Sequence, residues 1–270
     1  MPVTSRILSN SKSLEEIDIF IGKIADIGDL LFAWEITQLM GFSDIIEVRS
    51  SVAQNNIRSG EMDTKLLYHI THYSNLPSIL KNGELLAYSK ITSDNIPYSD
   101  IAHQTIQNRR STTNIPVSPY GVLHDYVPFY FAPNSPMLYA IKNDNVEGFE
   151  GTQSDIIYFV TSTSEIAKSN YEFVFTDGHA IVALTEFYND LTYLEEVDWS
   201  VVESKYWHDT NEYPDRKRKR QAEFLVYESV PVSRFIGIGV YNERIKSIVE
   251  EMLKEQSIDM KVVTRPQFYF

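Results

Sequence analysis

Residues 66–87, LLYHITHYSNLPSILKNGELLA, predict the first elements of the main fold. LLYHIT is rich in apolar and aromatic residues, which is typical of a β-strand. The next residues predict a short helix, because Asn75 suits its cap, Pro77 its first turn and Gly83 its end. The main part of the chain therefore begins with a strand followed by a short helix.

Downstream of this stretch, five more segments have the composition of strands. The clearest helical segment among them is NERIKSIVEEMLKEQ, and the C-terminal MKVVTRPQFYF predicts a last strand. Many short strands with few helices predict an α+β fold built on curved antiparallel sheets. The five strand segments are DYVPFYF, SDIIYFVTS, YEFVFTD, EFLVYESV and FIGIGVY.

Upstream of the stretch, residues 1–63 have a different character and predict an acidic, mainly helical N-terminal extension. Apolar residues recur at helical spacing across residues 14–40, which indicates one or two helices. The extension holds five basic and ten acidic residues, a net charge of −5, so we do not expect a DNA-binding arm. Packing on the main domain, residues 64–270, and contact with a partner protein both stay open.

Composition excludes several classes of function. The chain of 270 residues contains no cysteine, which excludes disulfides, thiolate zinc sites and cysteine nucleophiles. Its net charge of −13 argues against indiscriminate nucleic-acid binding, so any DNA contact must be local. No signal peptide or bilayer-spanning apolar run is present in the sequence, and we expect a soluble, cytoplasmic protein without membrane contact.

Two motifs that suggest ligand sites have better structural explanations. His69 and His72 stand three apart on a strand and should point to opposite faces, so we predict no metal site there. His69 alone has the chemistry to hydrogen-bond a ligand, although a structural histidine is the alternative. Gly237 and Gly239 lack the third glycine and the helix of a dinucleotide-binding turn, and close strand packing explains them better.

A run of five basic residues, Arg216 to Arg220, directly precedes QAEFLVYESV. Within this segment, Glu223 begins the run that is typical of a strand, which predicts a carboxylate at the edge of that strand, facing a positively charged cleft. Upstream, Arg109 and Arg110 precede a polar loop that contains proline. Adjacent side chains do not share a face, so at most one arginine should point into a given site. The pattern does not decide which one, and a surface ion pair is the alternative for either.

Seven segments, taken in order, resemble DarT, the family of DNA ADP-ribosyltransferase toxins from DarTG toxin–antitoxin systems. They cover roughly residues 64–270, whereas residues 1–63 fall outside the resemblance. The segments are YHITHYSNLPSIL, IQNRRS, GVLHDYVPFYFAPNSPMLYAI, FVFTDGHA, DWSVVESKYW, RQAEFLVY and RPQFYF.

The resemblance implies an ADP-ribosyltransferase fold, in which a split β core holds the co-substrate NAD in a cleft. Arg110 matches the catalytic arginine of the family, and Glu223 matches its catalytic glutamate. The family's NAD-binding positions fall on the first strand and the helix that follows it. These positions are His69, Ile70, Thr71, Ser78 and Leu86, together with Arg110.

The loop from about Phe175 to Glu223 corresponds to the substrate-recognising loop of the family. The resemblance implies that His179 in this loop contacts single-stranded DNA. It also makes the basic run a candidate for phosphate contacts, through Arg216, Arg218 and Arg220.

We therefore predict a toxin that transfers ADP-ribose from NAD to a base of single-stranded DNA, with thymidine the family's usual target. Guanosine, RNA or protein as the acceptor is the first alternative. A non-catalytic module that binds NAD or DNA is the second. The resemblance also implies a partner antitoxin, DarG, whose macrodomain removes the ADP-ribose.

Overall fold

Short helices alternate with ten strands in a computed structural model that describes residues 64–270. The helices predicted within residues 14–40 lie outside the described residues. The strands are β1 (Leu66–His72), β2 (Glu84–Leu86), β3 (Tyr126–Tyr130), β4 (Ile156–Ser162), β5 (Phe173–Thr176), β6 (Phe187–Tyr188), β7 (Glu223–Tyr227), β8 (Ser229–Pro231), β9 (Gly237–Val240) and β10 (Val262–Thr264). The helices are α1 (Leu76–Asn82), α2 (Tyr88–Ser93), α3 (Gln104–Arg110), α4 (Pro136–Lys142), α5 (Thr163–Lys168), α6 (Trp199–Val202), α7 (Arg216–Lys219) and α8 (Glu243–Glu255).

Eight of these strands form one sheet in the order β10-β9-β4-β1-β3-β7-β5-β6, and β2 pairs with β8 in a small second sheet. The neighbours in the large sheet are antiparallel, apart from β9 and β10, which are parallel. The predicted α+β fold on antiparallel sheets is therefore confirmed. β7 lies between β3 and β5 and begins at Glu223, so this carboxylate stands at the start of a strand, as the sequence pattern indicated, and that strand is an interior one.

The sheet is split between β1 and β3. β1 pairs with β4 along all seven of its residues, but it pairs with β3 only at Tyr68 opposite Tyr130. Two residues further along, β3 presents Pro128, which has no N–H to donate to the ladder. The His69 side chain reaches across instead, and its Nδ1 lies 2.8 Å from the Pro128 carbonyl oxygen. Because the two strands separate after a single pair, an opening forms beside His69.

A hydrophobic core covers one face of the sheet and is closed by α8. Ile245, Val249 and Leu253 recur every four residues along α8, so they share one helix face, and all three are buried. At the centre of the sheet, every residue of β4 is buried. The strands that line the cleft are therefore packed on this core.

Glycine and asparagine show where the sequence patterns were right and where they were incomplete. Gly83 ends α1 with φ of 76°, as predicted. A Cβ on Gly237 would lie 2.8 Å from the Lys261 carbonyl oxygen, so close strand packing explains this glycine, as predicted. Asn75 precedes α1, but its side chain does not cap the helix. That side chain donates instead to Thr71 Oγ1 and to the Ser99 carbonyl, because it is buried and faces β1.

Candidate active site

The opening between β1 and β3 leads into a cleft of about 1200 Å³, counting its open mouth. The residues that the sequence assigned to NAD binding lie together on its wall, and both predicted catalytic residues join them. His179 also lines the cleft, whereas the basic run does not. The predicted residues on the wall are His69, Ile70, Thr71, Ser78, Leu86, Arg110, His179 and Glu223.

Glu223 and Arg110 form a buried ion pair in this cleft. Arg110 Nη1 donates to Glu223 Oε2 over 2.7 Å, and the exposed fractions of the two side chains are 12% and 5%. The second carboxylate oxygen, Oε1, accepts the backbone N–H of Ala180 over 3.2 Å. The Glu223 backbone N–H donates to Thr176 Oγ1. The carboxylate is therefore held by groups from two segments, and the Thr176 contact fixes the backbone that carries it.

The electrostatic surroundings of Glu223 keep it ionised. Burial raises the pKa of this carboxyl, but the positive charge of Arg110, the His179 side chain and the hydrogen bonds from Arg110 and Ala180 lower it further than burial raises it. The net result is a pKa below the ordinary value for glutamate. A buried carboxylate with a lowered pKa and a specific charge partner in a cleft is typical of a functional site.

The structure distinguishes the two adjacent arginines at the end of α3. Arg109 points away from the pair and donates through Nη2 to the Ile181 carbonyl over 2.7 Å. Arg110 points into the cleft, and its Nη2 is buried without a hydrogen-bond partner among the described residues. An unpaired buried donor is costly, so it marks a place where a bound ligand can supply the acceptor.

His69 presents a hydrogen-bond acceptor to the cleft. Its Nδ1 donates to the Pro128 carbonyl, which leaves Nε2 of the neutral ring as the acceptor. Burial lowers the pKa of His69 to about 4, even though the Pro128 carbonyl acts in the opposite direction. The ring is therefore neutral near pH 7.

The segment from residue 177 to residue 186 is fastened beside the ion pair. Thr185 Oγ1 donates to the His179 carbonyl over 2.8 Å, and the His179 N–H donates to the Arg218 carbonyl over 3.0 Å. The Glu186 N–H donates to the Asp177 carboxylate. Together with the Ala180 contact to Glu223, these bonds give the segment a defined backbone course. We call residues 177–186 the site loop.

Arg218 and Arg220, which the sequence made candidates for phosphate contacts, are bonded to groups of the protein itself. The Arg218 guanidinium is bonded to the carboxylates of Asp177 and Asp215. Arg220 is 4% exposed, and it donates to the Pro133 carbonyl. Arg218 is therefore neutralised by Asp177 and Asp215, and Arg220 is bonded to the backbone at Pro133.

Arg216 of the basic run is half-buried. Its guanidinium carbon lies 4.4 Å from the centre of the Tyr213 ring, a cation–π contact. Tyr213 is 53% exposed, and the neighbouring Lys217 is also exposed. Arg216 is thus the one residue of the predicted trio Arg216, Arg218 and Arg220 whose placement agrees with a DNA-facing role.

Sequence reasoning missed a polar network that braces α3. Gln107 donates to the Asp100 carboxylate and accepts from His124 Nε2 over 3.0 Å. The His124 ring packs against Tyr88, with 4.4 Å between ring centres. Gln107 stands three residues before Arg110 on the same helix face, a spacing that was visible in the IQNRRS segment. Asp100 and His124 could not be found in this way, because only the tertiary fold brings them to α3.

Residues 64–270 contain no cluster of three or more histidine, aspartate or glutamate side chains placed to bind a metal ion. No helix within the same part of the chain combines the length and the apolar character needed to cross a bilayer.

The matches to known proteins cover nearly the same part of the chain as the described residues. A family model described as "ssDNA thymidine ADP-ribosyltransferase, DarT" matches residues 68–270. A curated "DNA ADP-ribosyl transferase" from Thermus sp. (strain 2.9) is 39% identical over 206 residues, which is 76% of this chain and 95% of the relative. A fusion protein from Thermosipho africanus, "DNA ADP-ribosyl transferase-DNA ADP-ribosyl glycohydrolase", is 26% identical over 206 residues, which is 76% of this chain and 49% of the relative.

Solved structures agree with the sequence matches. "Thermus sp. 2.9 DarT in complex with ADP-ribosylated ssDNA" superposes with a TM-score of 0.72 and 39% identity, covering 76% of this chain and 96% of that one. "Thermus sp. 2.9 DarT in complex with NAD+" superposes with a TM-score of 0.69 and 36% identity, covering 76% of this chain and 98% of that one.

Proposed function

This chain belongs to the DarT family of ADP-ribosyltransferases, and from that premise we propose that it transfers ADP-ribose from NAD to thymidine in single-stranded DNA. The observation that carries the proposal is the buried pair of Arg110 and Glu223, 2.7 Å apart, in a cleft lined by the residues expected to bind NAD. The Thermus relatives solved with NAD+ and with ADP-ribosylated single-stranded DNA support the two substrates.

We assign the main electrostatic role in the reaction to Glu223. Breaking the bond between nicotinamide and ribose builds positive charge on the ribose, as in glycoside cleavage. A fixed carboxylate stabilises that charge most when it is ionised and shielded from water, and burial together with a lowered pKa provides both conditions at Glu223. Because Ala180 and Arg110 hold the carboxylate, little reorganisation is needed during the reaction.

Arg110 is proposed to position Glu223 and to bind a substrate oxygen. A guanidinium is charged throughout the ordinary pH range and offers donors only. Nη1 is used on Glu223, whereas the unpaired Nη2 is available to an oxygen of NAD or of the attacking base. Ligand binding would therefore remove the cost of leaving that donor buried and unpaired.

The remaining wall of the cleft suits the ribose and nicotinamide end of NAD. His69 Nε2 is an acceptor for a ribose hydroxyl, and Thr71 and Ser78 add hydroxyl groups. Ile70 and Leu86 provide apolar surface for a ring. Convergent polar groups on a mostly apolar wall are the usual composition of a small-molecule site.

The proposal is tested by incubating the protein with NAD and defined single-stranded oligonucleotides, followed by mass spectrometry of the products. We expect a mass increase of one ADP-ribose on strands that contain thymidine and none on matched strands without it. Modification of guanosine, RNA or protein with unmodified thymidine strands would replace the proposed acceptor. Binding of NAD without transfer to any acceptor would leave only a binding module.

Glu223→Gln tests the catalytic assignment in the same assay. The amide keeps the size of the side chain but removes its charge, so we expect transfer to fall by at least 10²-fold, about the effect of losing one electrostatic stabiliser. Glu250→Gln is the matched control, because Glu250 lies on α8, outside the cleft lining. Equal activity of Glu223→Gln and the control would contradict the assignment.

We also propose that an antitoxin of the DarG type counteracts this protein by removing ADP-ribose from DNA, and that both proteins act in the cytoplasm. The Thermosipho relative supports this pairing, because a transferase and a glycohydrolase are joined there in one protein. Purified DarG-type macrodomain should remove the label from thymidine strands that this protein has modified. Persistence of the label would exclude that partner.

A further inference from the structure

α3 is too short to hold Arg110 in place by itself. It runs over seven residues from Gln104 to Arg110, and the side chain of His103 does not cap its first turn. Helices shorter than about 12 residues are marginal in water unless other parts of the protein pack on them. The placement of the Arg110 side chain therefore depends on the contacts that anchor the helix.

Gln107 anchors α3 to two other segments. Its side chain is buried, and its Nε2 lies 3.3 and 3.2 Å from the two carboxylate oxygens of Asp100. Its Oε1 lies 3.0 Å from Nε2 of His124. A carboxylate only accepts hydrogen bonds, so the amide nitrogen faces Asp100 and the amide oxygen faces His124. His124 therefore donates through Nε2, and both polar atoms of the Gln107 side chain are bonded.

The bond from His124 to Gln107 ties α3 to the strands that carry the site. His124 lies in the turn Leu123–Asp125, directly before β3. β3 pairs with β7, and Tyr130 of β3 stands opposite Glu223 of β7. The end of α3 and the start of β7 are therefore connected through Gln107, His124 and β3, in addition to the ion pair itself.

The His124 ring is neutral near pH 7. Burial lowers the pKa of His124, and the positive charge of Arg110 lowers it further, whereas Asp125 and Asp100 raise it by less. A neutral imidazole carries one N–H, and the contact with Gln107 places it on Nε2. The network therefore adds no second positive charge beside Arg110.

Asp100 is the end of the network that lies away from the cleft. Its Oδ1 accepts the Ala102 backbone N–H over 2.8 Å and the Tyr98 hydroxyl over 3.4 Å. Tyr98, Gln107 and His124 line the cleft, whereas Asp100 is not part of the lining. A substitution at Asp100 can therefore reach the reaction only through the side chains that Asp100 holds.

We propose that Asp100 and Gln107 are positioning residues of this enzyme, which hold α3 so that Arg110 faces Glu223 and the substrates. This rests on the proposed function, in which Arg110 acts on a substrate oxygen. A displacement of a reacting group by about 1 Å can cost about 10²-fold in rate. Loss of Asp100 should therefore slow the transfer, although Asp100 itself touches no substrate.

The test uses Asp100→Ala in the full chain, with Asp259→Ala as the matched control. Asp259 is exposed and lies outside the cleft lining. Single-turnover transfer to a thymidine strand, at saturating NAD and DNA, should fall by about 10–10²-fold in Asp100→Ala and stay near wild type in the control. The Kd for NAD should change much less than this rate. An unchanged rate in Asp100→Ala would overturn the inference.

Asp100→Asn is the conservative variant in the same assay. The amide keeps an oxygen that can accept from Gln107 and Ala102, so most of the rate should return. A loss as large in Asp100→Asn as in Asp100→Ala would show that the negative charge of Asp100, and not its hold on Gln107, is what the reaction needs, and would contradict the inference.

Double variants show whether Asp100 acts through Arg110. Arg110→Lys already lacks the planar donor set, so adding Asp100→Ala should cause little further loss of rate. In an Arg109→Ala background the loss from Asp100→Ala should stay nearly complete, because Arg109 has its own anchor at the Ile181 carbonyl. Equal losses in the two backgrounds would show that Asp100 does not act through Arg110.

Gln107→Met covers the case in which Asp100→Ala does not fold. Methionine keeps the length of the side chain but removes both hydrogen bonds, so the rate should fall as in Asp100→Ala and depend on Arg110 in the same way. Thermal melts of both variants accompany the kinetics. If neither variant folds, the network is structural only, and the inference is overturned.

Failure of the inference differs from failure of the proposed function. A wild-type protein that transfers ADP-ribose to no acceptor would remove both. A wild-type protein that modifies the thymidine strand, beside an Asp100→Ala variant with an unchanged single-turnover rate, would overturn only the positioning role.

Discussion

Arg110 Nη1 lies 2.7 Å from Glu223 Oε2, although 113 residues separate the two in the chain. α3 supplies the cation at its last position and β7 supplies the carboxylate at its first, so the pair joins two elements at the floor of the cleft. The same bond fixes the geometry of the site. Each of the two buried charges is neutralised by the other, so neither can stay buried at low cost alone.

This dependence predicts a strong coupling in stability. Glu223→Gln and Arg110→Met should each lower the free energy of unfolding by about 3–5 kcal/mol, because each leaves one buried charge unpaired. The double variant should lose much less than the sum, since neither charge remains. Urea denaturation of the four proteins measures the coupling, and additive losses would mean that the pair is not coupled in solution.

Substitutions at Arg109 and Arg110 should affect different kinetic constants. Arg109→Ala removes the donor to the Ile181 carbonyl and loosens the site loop, so we expect a higher KM for DNA with a modest loss of kcat. Arg110→Lys keeps a charge but loses the planar donor set, so kcat should fall much more. Steady-state kinetics with both variants checks this contrast, and equal kcat losses would contradict it.

Within the basic run, Lys217→Ala and Arg218→Ala should separate DNA contact from structure. Lys217 is exposed, so its removal should leave stability unchanged, weaken DNA binding and reduce the salt slope of binding by about 1. Arg218 neutralises Asp177 and Asp215, so its removal should lower the unfolding temperature. Fluorescence anisotropy at several salt concentrations and thermal melts of both variants provide the comparison. If Arg218→Ala is as stable as the wild type and its DNA binding has a reduced salt slope, Arg218 contacts DNA as first predicted.

His69 predicts a specific dependence of stability on pH. Its pKa is about 4 in the folded protein and about 6.5 in the unfolded chain, so the unfolded chain binds more protons between these values. Stability should therefore fall as the pH drops from 6.5 to 4, with His69 contributing roughly 3 kcal/mol. His69→Asn keeps a donor for the Pro128 carbonyl without this titration, and His208→Asn, at an exposed position, is the control. Denaturation between pH 5 and 6.5 should be flatter only for His69→Asn.

Local patterns predicted the elements well because helices and strands depend on near neighbours. The apolar run of β1, the left-handed Gly83 and the spacing of Ile245, Val249 and Leu253 all act within a few residues. The order of motifs added the family, and with it Arg110 and Glu223 as candidates. Asn75 stands at the N-cap position of α1 as predicted, but its side chain bonds to Thr71 and Ser99 instead of the helix, partners that only the tertiary fold supplies.

By itself, the sequence determined the α+β fold class, the family and a short list of residues with suitable chemistry. Tertiary structure decided which of them share the cleft, because partners such as Glu223 with Arg110 or Arg220 with Pro133 are 113 and 87 residues apart. Which carbonyl or carboxylate reaches a given cation depends on how the sheet and loops pack, and no local rule encodes that. The split between β1 and β3, where Pro128 lies beside His69, is likewise decided by the tertiary structure.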